Sequence, residues 1–252
     1  MLEFRNVSVT LKKGVFKKYT IDILDNISFQ LEKGKTLGIV GKSGSGKSTI
    51  VNVILRLMPC SAGDVLIDGK SILKSYSRIE LAKKVQLITQ NPEMSFDPDM
   101  TIYNSLKEVS KIHGIITNGS SLEVVLSPLL KDVGLQNADL NKLPKHYSGG
   151  ELQRFSIIRA LLISPEVIIF DEADSMLDTV IRVNLFDILA KLRKKYDVSY
   201  IYITHDIRVL PQIAEDVLII ADGEVSEYGS VDILRKSQAP FIKDLRAAIT
   251  MN

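Results

Sequence analysis

Apolar residues recur at every second position at the start of the chain. "LEFRNVSV" alternates and predicts a half-buried strand, and "ISFQLEKGK" predicts a second one ending at the Gly34 turn. "TLGIV" is an unbroken apolar run followed by Gly-rich punctuation, the pattern of a parallel strand buried on both faces. The period then lengthens. Residues 47–58 predict a helix stopped by Pro59, "GDVLIDGK" a strand turning at Asp68-Gly69, and "KVQLIT" another strand.

From Asn91 to about Ser164 the helical period dominates, with apolar spacing over 102–112, 122–133 and 152–163. Strand and helix alternate again afterwards: "EVIIF", a helix over 180–195, "SYIYIT", a short helix from Asp206, and "DVLII". "ADGEV" predicts a hairpin turn, and a helical tail closes the chain. The pattern predicts a mostly parallel α/β core interrupted by a helical subdomain.

Composition narrows the function classes. The 252 residues are 45% hydrophobic and 25% charged, enough for a sizeable core in one large α/β domain. A net charge of +2 lacks the strong basic excess of a dedicated nucleic-acid binder. One cysteine, Cys60, forbids an internal disulfide and fits a reducing compartment. The first residues show no secretory h-region, and no run of 18 uncharged apolar residues occurs, so membrane contact is expected only through a partner.

The chemistry begins with "GKSGSGKS", residues 41–48, which matches G-x-x-x-x-G-K-[ST] between a predicted strand and a predicted helix. Gly41, Gly44 and Gly46, with Ser43 among them, let backbone N–H groups wrap a phosphate at a helix start. Lys47 is positioned by sequence to reach the β- and γ-phosphates, Ser48 to place its hydroxyl on Mg²⁺, and Thr49 to meet the α-phosphate side. "VIIFDEADSMLD" then ends a strand on Asp171, an expected holder of the Mg²⁺ shell, and Glu172, an expected acceptor of the proton of an attacking water. His205 closes "SYIYITHD" and Gln90 closes "KVQLIT", both at strand ends, where an imidazole can reach a γ-phosphate and an amide can bridge metal and water. No guanine-reading NKxD or TKxD occurs.

"YSGGELQR" adds a second helix start, with Ser148 as N-cap of a helix from Glu151 and Gly149 and Gly150 allowing close backbone approach. In this order and spacing, the phosphate loop, Gln90, "SGGELQR", "VIIFDEA", "SMLD" and His205 resemble an ABC-transporter ATPase over nearly the whole chain. The resemblance implies a P-loop ABC cassette in one domain. Its catalytic core would be residues 1–90 and 165–252, with an N-terminal antiparallel β part, and its helical signature subdomain would be 91–164. It implies a head-to-tail dimer binding ATP and Mg²⁺, each ATP lying between one chain's phosphate loop and the other's Ser148, Gly149 and Gly150, with Asp178 in the loop crossing between half-sites. An aromatic preceding the first glycine turn would stack on adenine, and Phe16 is the candidate, with Tyr19 second.

"LKKGVF", "QNPEMSFDPDMTI" and the signature region are similar to the peptide/nickel importer branch, second ATPase of its pair. That resemblance implies a non-identical ATPase partner, two membrane permeases and an extracytoplasmic binding protein, at the cytoplasmic face of the membrane. The short C-terminal part leans the expectation towards nickel or a metal chelate, with oligopeptide as the alternative. Tyr147, Glu151 and Ala173 depart from the frequent Leu, Gln and Pro, and none removes a catalytic group. A soluble ABC protein would be expected to carry a second cassette or coiled-coil or zinc insertions, a dead-site subunit would lack Lys47, Glu172 or His205, and a small-molecule kinase has no use for "SGGELQR".

Overall fold

The computed structural model describes residues 1–13, 19–116, 121–175 and 178–250. Along the chain run β1 (Leu2–Lys13), β2 (Tyr19–Leu31), β3 (Thr36–Val40), α1 (Lys47–Ile54), β4 (Ala62–Ile67), β5 (Lys70–Ser71), α2 (Arg78–Lys84), β6 (Val85–Ile88), α3 (Ile102–Ile112), α4 (Leu122–Asp132), α5 (Gly149–Leu161), β7 (Val167–Asp171), α6 (Thr179–Tyr196), β8 (Ser199–Ile203), α7 (Leu210–Ile213), β9 (Asp216–Ala221), β10 (Glu224–Ser230), α8 (Ile233–Lys236) and α9 (Pro240–Thr250). They divide into two compact units, Met1–Ala82 with Ser199–Asn252, and Lys83–Val198.

The first unit contains the predicted antiparallel part. Its strands lie in the order β2-β1-β4-β5. The alternation of β1 changes phase midway: Leu2 and Phe4 are buried, then Val7 and Val9. A bulge explains it. The register with β2 shifts between Phe4 and Val7, and Asn6 takes a left-handed φ of 50°. Asn26 of β2 does the same at φ 51°, so Leu24, Ile27, Phe29 and Leu31 all reach the core. Phe4 and Phe29 stack across the pair with centroids 4.4 Å apart.

In the same unit β10, β9, β3 and β8 lie side by side. β3 is parallel to both β8 and β9, while β10 folds back antiparallel on β9. Asp222 and Gly223, at φ 50° and 81°, make the predicted hairpin turn. The Gly223 carbonyl accepts from Asp25 N at 2.8 Å, and its own N–H donates to Ser45 O at 3.1 Å. The hairpin tip therefore braces the loop that enters α1.

α1 stops at Ile54, earlier than Pro59 predicts. Arg56 adopts φ 55°, Leu57 N bonds Asn52 O at 2.8 Å and Arg56 N bonds Val53 O at 3.0 Å, a Schellman ending with Arg in the left-handed position. α7 begins at Leu210 rather than Asp206, because Asp206 is engaged in a turn, accepting from Arg208 N at 3.0 Å and pairing with its guanidinium. α2 has no counterpart in the apolar pattern, since it buries only Leu81. Its signal is the reciprocal cap in "SRIE": Ser77 N donates to Glu80 Oε2 at 2.7 Å and Glu80 N donates to Ser77 Oγ at 3.2 Å.

The second unit holds the parallel pair β6–β7, with Ile88 opposite Phe170, and the helices expected over 91–164. α3 keeps its predicted bounds, capped by Thr101, whose hydroxyl accepts from Asn104 N at 3.3 Å. α5 starts at Gly149, two residues before the expected Glu151. Phe155, Ile157, Ile158 and Leu161 bury its apolar side. At the far end of α5, the Arg159 guanidinium donates to Ser95 O and lies over the Phe96 ring at 5.9 Å, fastening the segment after Gln90.

Near the C-terminus, one carboxylate holds a whole turn. Glu227 Oε1 accepts from Ser237 Oγ at 2.6 Å, Gln238 N at 3.2 Å and Ala239 N at 3.3 Å, tying the α8–α9 junction to β10. Glu227→Ala is expected to cost about 2 kcal/mol of stability by orphaning these donors. Hydrogen exchange is expected to speed up at 237–243 without change in β3, and equal protection in both proteins would refute this role.

Candidate nucleotide site

In the first unit the phosphate loop follows β3 and opens α1. Three constraints shape it. At Gly41 an added Cβ would stand 2.3 Å from Ile220 O and 2.6 Å from Ser45 Oγ, so no side chain fits. Gly44 needs only its left-handed φ of 79°. Gly46 needs both, with φ 110° and an added Cβ 2.6 Å from Leu24 Cδ2.

Gly46 is also the N-cap of α1, with no side-chain cap and no acidic residue in the first turn. The helix start therefore presents its N–H groups and positive dipole end without an internal anion. Lys47 is buried, and its Nζ donates to Gly41 O and Lys42 O, both at 2.8 Å, so the ammonium is held across the mouth of the loop. Ser43 and Ser48 are exposed and Thr49 is half-buried. The buried Ser45 hydroxyl has no hydrogen-bond partner among the described residues. This donor-rich, uncapped cradle fits a phosphate. Ser45 is a participant that the motif alone did not single out, since the pattern leaves its position free.

His205 belongs to the same unit. β3 and β8 pair in parallel with Ile39 opposite Ile203, and Thr204 N bonds Ile39 O at 3.2 Å. His205 is exposed and lies just beyond the carboxyl end of β8, as Gly41 lies just beyond that of β3.

In the second unit β6 and β7 run in parallel with Ile88 opposite Phe170, and Gln90 and Glu172 each follow just past the carboxyl end of their strand. Asp171 is the last residue of β7 and is half-buried. Glu172 takes φ 51°, a conformation uncommon outside glycine and asparagine, and its carbonyl accepts from Ser175 N at 3.1 Å. This tight turn is braced by buried Asp174, which pairs with Arg182 of α6 at 3.2 Å. Neither Asp174 nor Arg182 was picked from sequence, because their pairing depends on where α6 lies.

α5 and α6 begin side by side in this unit. Ser148 Oγ accepts from Glu151 N at 3.3 Å, and Glu151 Oε2 accepts from Ser148 N at 2.8 Å, a complete capping box. Gly149 is exposed with open space where a Cβ would be, whereas Gly150 is buried, its added Cβ 3.2 Å from Ile181 Cγ2. Ile181 stands in the first turn of α6, where its N–H donates to the N-cap Asp178 at 2.9 Å. Tyr147 bonds the Asp139 carbonyl through its hydroxyl and meets the Phe155 ring edge-on at 5.0 Å, which explains why an aromatic serves where Leu is frequent. Phe16 lies outside the described residues, and Tyr19 opens β2 with its side chain likewise outside them.

A strand–phosphate loop–helix unit, with an acidic strand end and a glycine-rich capped helix start elsewhere in the chain, defines a P-loop nucleotide-binding cassette. The family description "ABC transporter" matches residues 24–175. The chain is 32% identical to the oligopeptide transport ATP-binding protein OppF of Streptococcus mutans, over 99% of this chain and 81% of that protein. It is 34% identical to OppF of Haemophilus influenzae, over 99% of this chain and 78% of that protein. It is 35% identical to the glutathione import ATP-binding protein GsiA of Salmonella choleraesuis, although it spans only 39% of that longer protein. Among solved structures, the dimeric ATP-binding cassette MJ0796, in a post-hydrolysis state bound to ADP and Pi, matches with a TM-score of 0.75 at 29% identity, over 92% of this chain and 99% of that one. The chain belongs to the ABC transporter family, as one of its ATPase cassettes, and has the fold predicted from its sequence.

Gly41→Ala is expected to lower ATP affinity more than tenfold, because backbone contacts as short as 2.3 Å must open before the loop can close on a phosphate. Binding of a fluorescent ATP analogue to the full chain measures this. Wild-type affinity in that variant would show that the loop tolerates a Cβ after all.

Proposed function

We propose that this chain is the ATP-hydrolysing subunit of an importer and that its cargo is a peptide. The relatives named above act on oligopeptides and glutathione, itself a small peptide. They favour the oligopeptide alternative over the nickel expectation, for which none of them speaks. Among the described residues no helix is long and apolar enough to cross a membrane, so contact with the bilayer is assigned to permease partners at its cytoplasmic face.

The site residues keep the roles their motifs imply. The phosphate-loop N–H groups and Lys47 bind the β- and γ-phosphates, with Thr49 on the α-phosphate side. Ser48, Asp171 and Gln90 hold the Mg²⁺ shell. Among the described residues no group of three His, Cys, Asp or Glu side chains could hold a metal unaided, which suits an ion shared with phosphate oxygens. Mg²⁺, when bound, offsets the charge developing on those oxygens. Glu172 takes a proton from water as the water oxygen bonds the γ-phosphorus, and the bond to the bridging oxygen breaks to release ADP and phosphate. His205 steadies the γ-phosphate.

The observation that supports a paired cassette is the second helix start, Ser148 with Gly149 and Gly150, where Gly149 stands exposed with open space beside it. It is assigned to the ATP of a second, non-identical cassette arranged head to tail, with Asp178 between the half-sites. Residues 91–164, led by Gln90, are assigned to the permease contact, and an extracytoplasmic binding protein delivers the cargo. Glu172→Gln, assembled with its partners, is expected to lose phosphate release at least 100-fold while ATP binding persists. Undiminished turnover would remove Glu172 from the role of base. Uptake of labelled oligopeptide against labelled nickel in a deletion strain separates the two cargoes: loss of nickel uptake alone would overturn the peptide reading.

A further inference from the structure

The body of α5 is fastened by polar bonds. Arg154 donates to Val133 O at 3.5 Å, Arg159 donates to Ser95 O, and the Ser156 hydroxyl donates to Leu152 O at 3.0 Å. Gln153 departs from this. It is 1% exposed, and neither its Oε1 nor its Nε2 has a hydrogen-bond partner among the described residues. A buried amide in that condition has given up water and received nothing in return. Gln153 stands three residues after Gly150, on the side of α5 where an added Cβ at Gly150 would meet Ile181 Cγ2 at 3.2 Å. The next residue of α6, Arg182, pairs with Asp174 at 3.2 Å. Ser175 follows Asp174 and closes the Glu172 turn, its N–H donating to Glu172 O at 3.1 Å. The Ser175 hydroxyl is buried and also has no partner among the described residues. Successive residues of α6 therefore connect α5 to the Glu172 turn, and each side of that junction carries a buried, unpaired polar group.

We propose that Gln153 is a positioning residue for hydrolysis: its amide pairs with the Ser175 hydroxyl when the assembly is loaded with nucleotide, and so seats the turn that carries Glu172. This rests on reading Glu172 as the base. The two groups are chemically matched, since a hydroxyl can donate to Oε1 or accept from Nε2. Asp174 already ties the turn to α6 through Arg182, and a bond from Ser175 to α5 adds an anchor three residues after Glu172. Glu172 sits at φ 51°, so the direction of its carboxylate depends on how firmly the turn is held. A base displaced by about 1 Å loses on the order of 10²-fold in rate. Two buried groups left unpaired in the free chain supply the driving force, because a small shift of α5 against the turn satisfies both at once.

The test compares wild type with Gln153→Met, Ser175→Ala and the double variant. In the isolated chain Gln153→Met is expected to raise the melting temperature by about 3 °C, because a side chain of similar size replaces an unpaired amide. A lower melting temperature would mean that the amide is already satisfied in the free chain, and overturns the proposal. In the chain assembled with its partner cassette and permeases, each single variant is expected to lose about tenfold in kcat. The half-saturating ATP concentration is expected to stay the same, since the phosphate loop holds the nucleotide. The double variant is expected to be no slower than either single one, the signature of one shared bond. Losses that multiply to about a hundredfold, or singles that turn over at the wild-type rate, overturn it. Glu172→Gln, measured in the same assembly, separates this from the reading beneath it. If that variant keeps its turnover, the base assignment falls and the proposal falls with it. If it is inactive while Gln153→Met matches wild type, the base stands and Gln153 does not position it.

Discussion

The start of α1 is a helix end without a side-chain cap, and the first unit is organised around that fact. An uncapped N-terminus carries unsatisfied N–H groups and a partial positive charge, which are costly unless water or an anion meets them. Gly46 takes the cap position at φ 110° with no side chain to offer, and Lys47 leans back across the loop to its carbonyls. The surrounding structure makes the arrangement rigid. Ile220 closes on Gly41, Leu24 on Gly46, and the Asp222-Gly223 turn bonds the loop through Ser45 O. Parallel pairing of β3 with β8 then sets the carboxyl ends of the two strands, which Gly41 and His205 follow, at the same edge.

Other helix starts of the chain are closed by side chains: α2 by Ser77 with Glu80, α3 by Thr101, α6 by Asp178, and α5 by Ser148 with Glu151. α4, α7 and α8 also begin without a side-chain cap bond, and α4 carries Glu123 in its first turn, so what sets the start of α1 apart is the glycine loop wrapped around it.

Much of this was legible in the sequence because it is local. The phosphate loop, the acid pair after "VIIF", the capped "SGGE" start and the Asp222-Gly223 turn each depend on residues a few positions apart. The apolar periods also fixed the type of the long elements, down to the bounds of α3. What was missed depended on contacts or on left-handed residues other than glycine. Arg56 ends α1 where Pro59 was expected to, and Asn6 with Asn26 shifts the alternation of β1 and β2. α2 buries one residue, too few for a period to register.

The sequence by itself determined the phosphate-loop motif at residues 41–48 and the candidate acids and amide at the strand ends, because motif spacing encodes local backbone geometry. The tertiary structure decided which strands run side by side, β3 with β8 and β6 with β7, pairings across separations in sequence that no local pattern records. It also decided that Asp174 finds Arg182 and that Gly41 admits no side chain. The physical reason is the same in each case. Side-chain type is written residue by residue, whereas hydrogen-bond partners and steric limits arise only when distant segments are packed to contact.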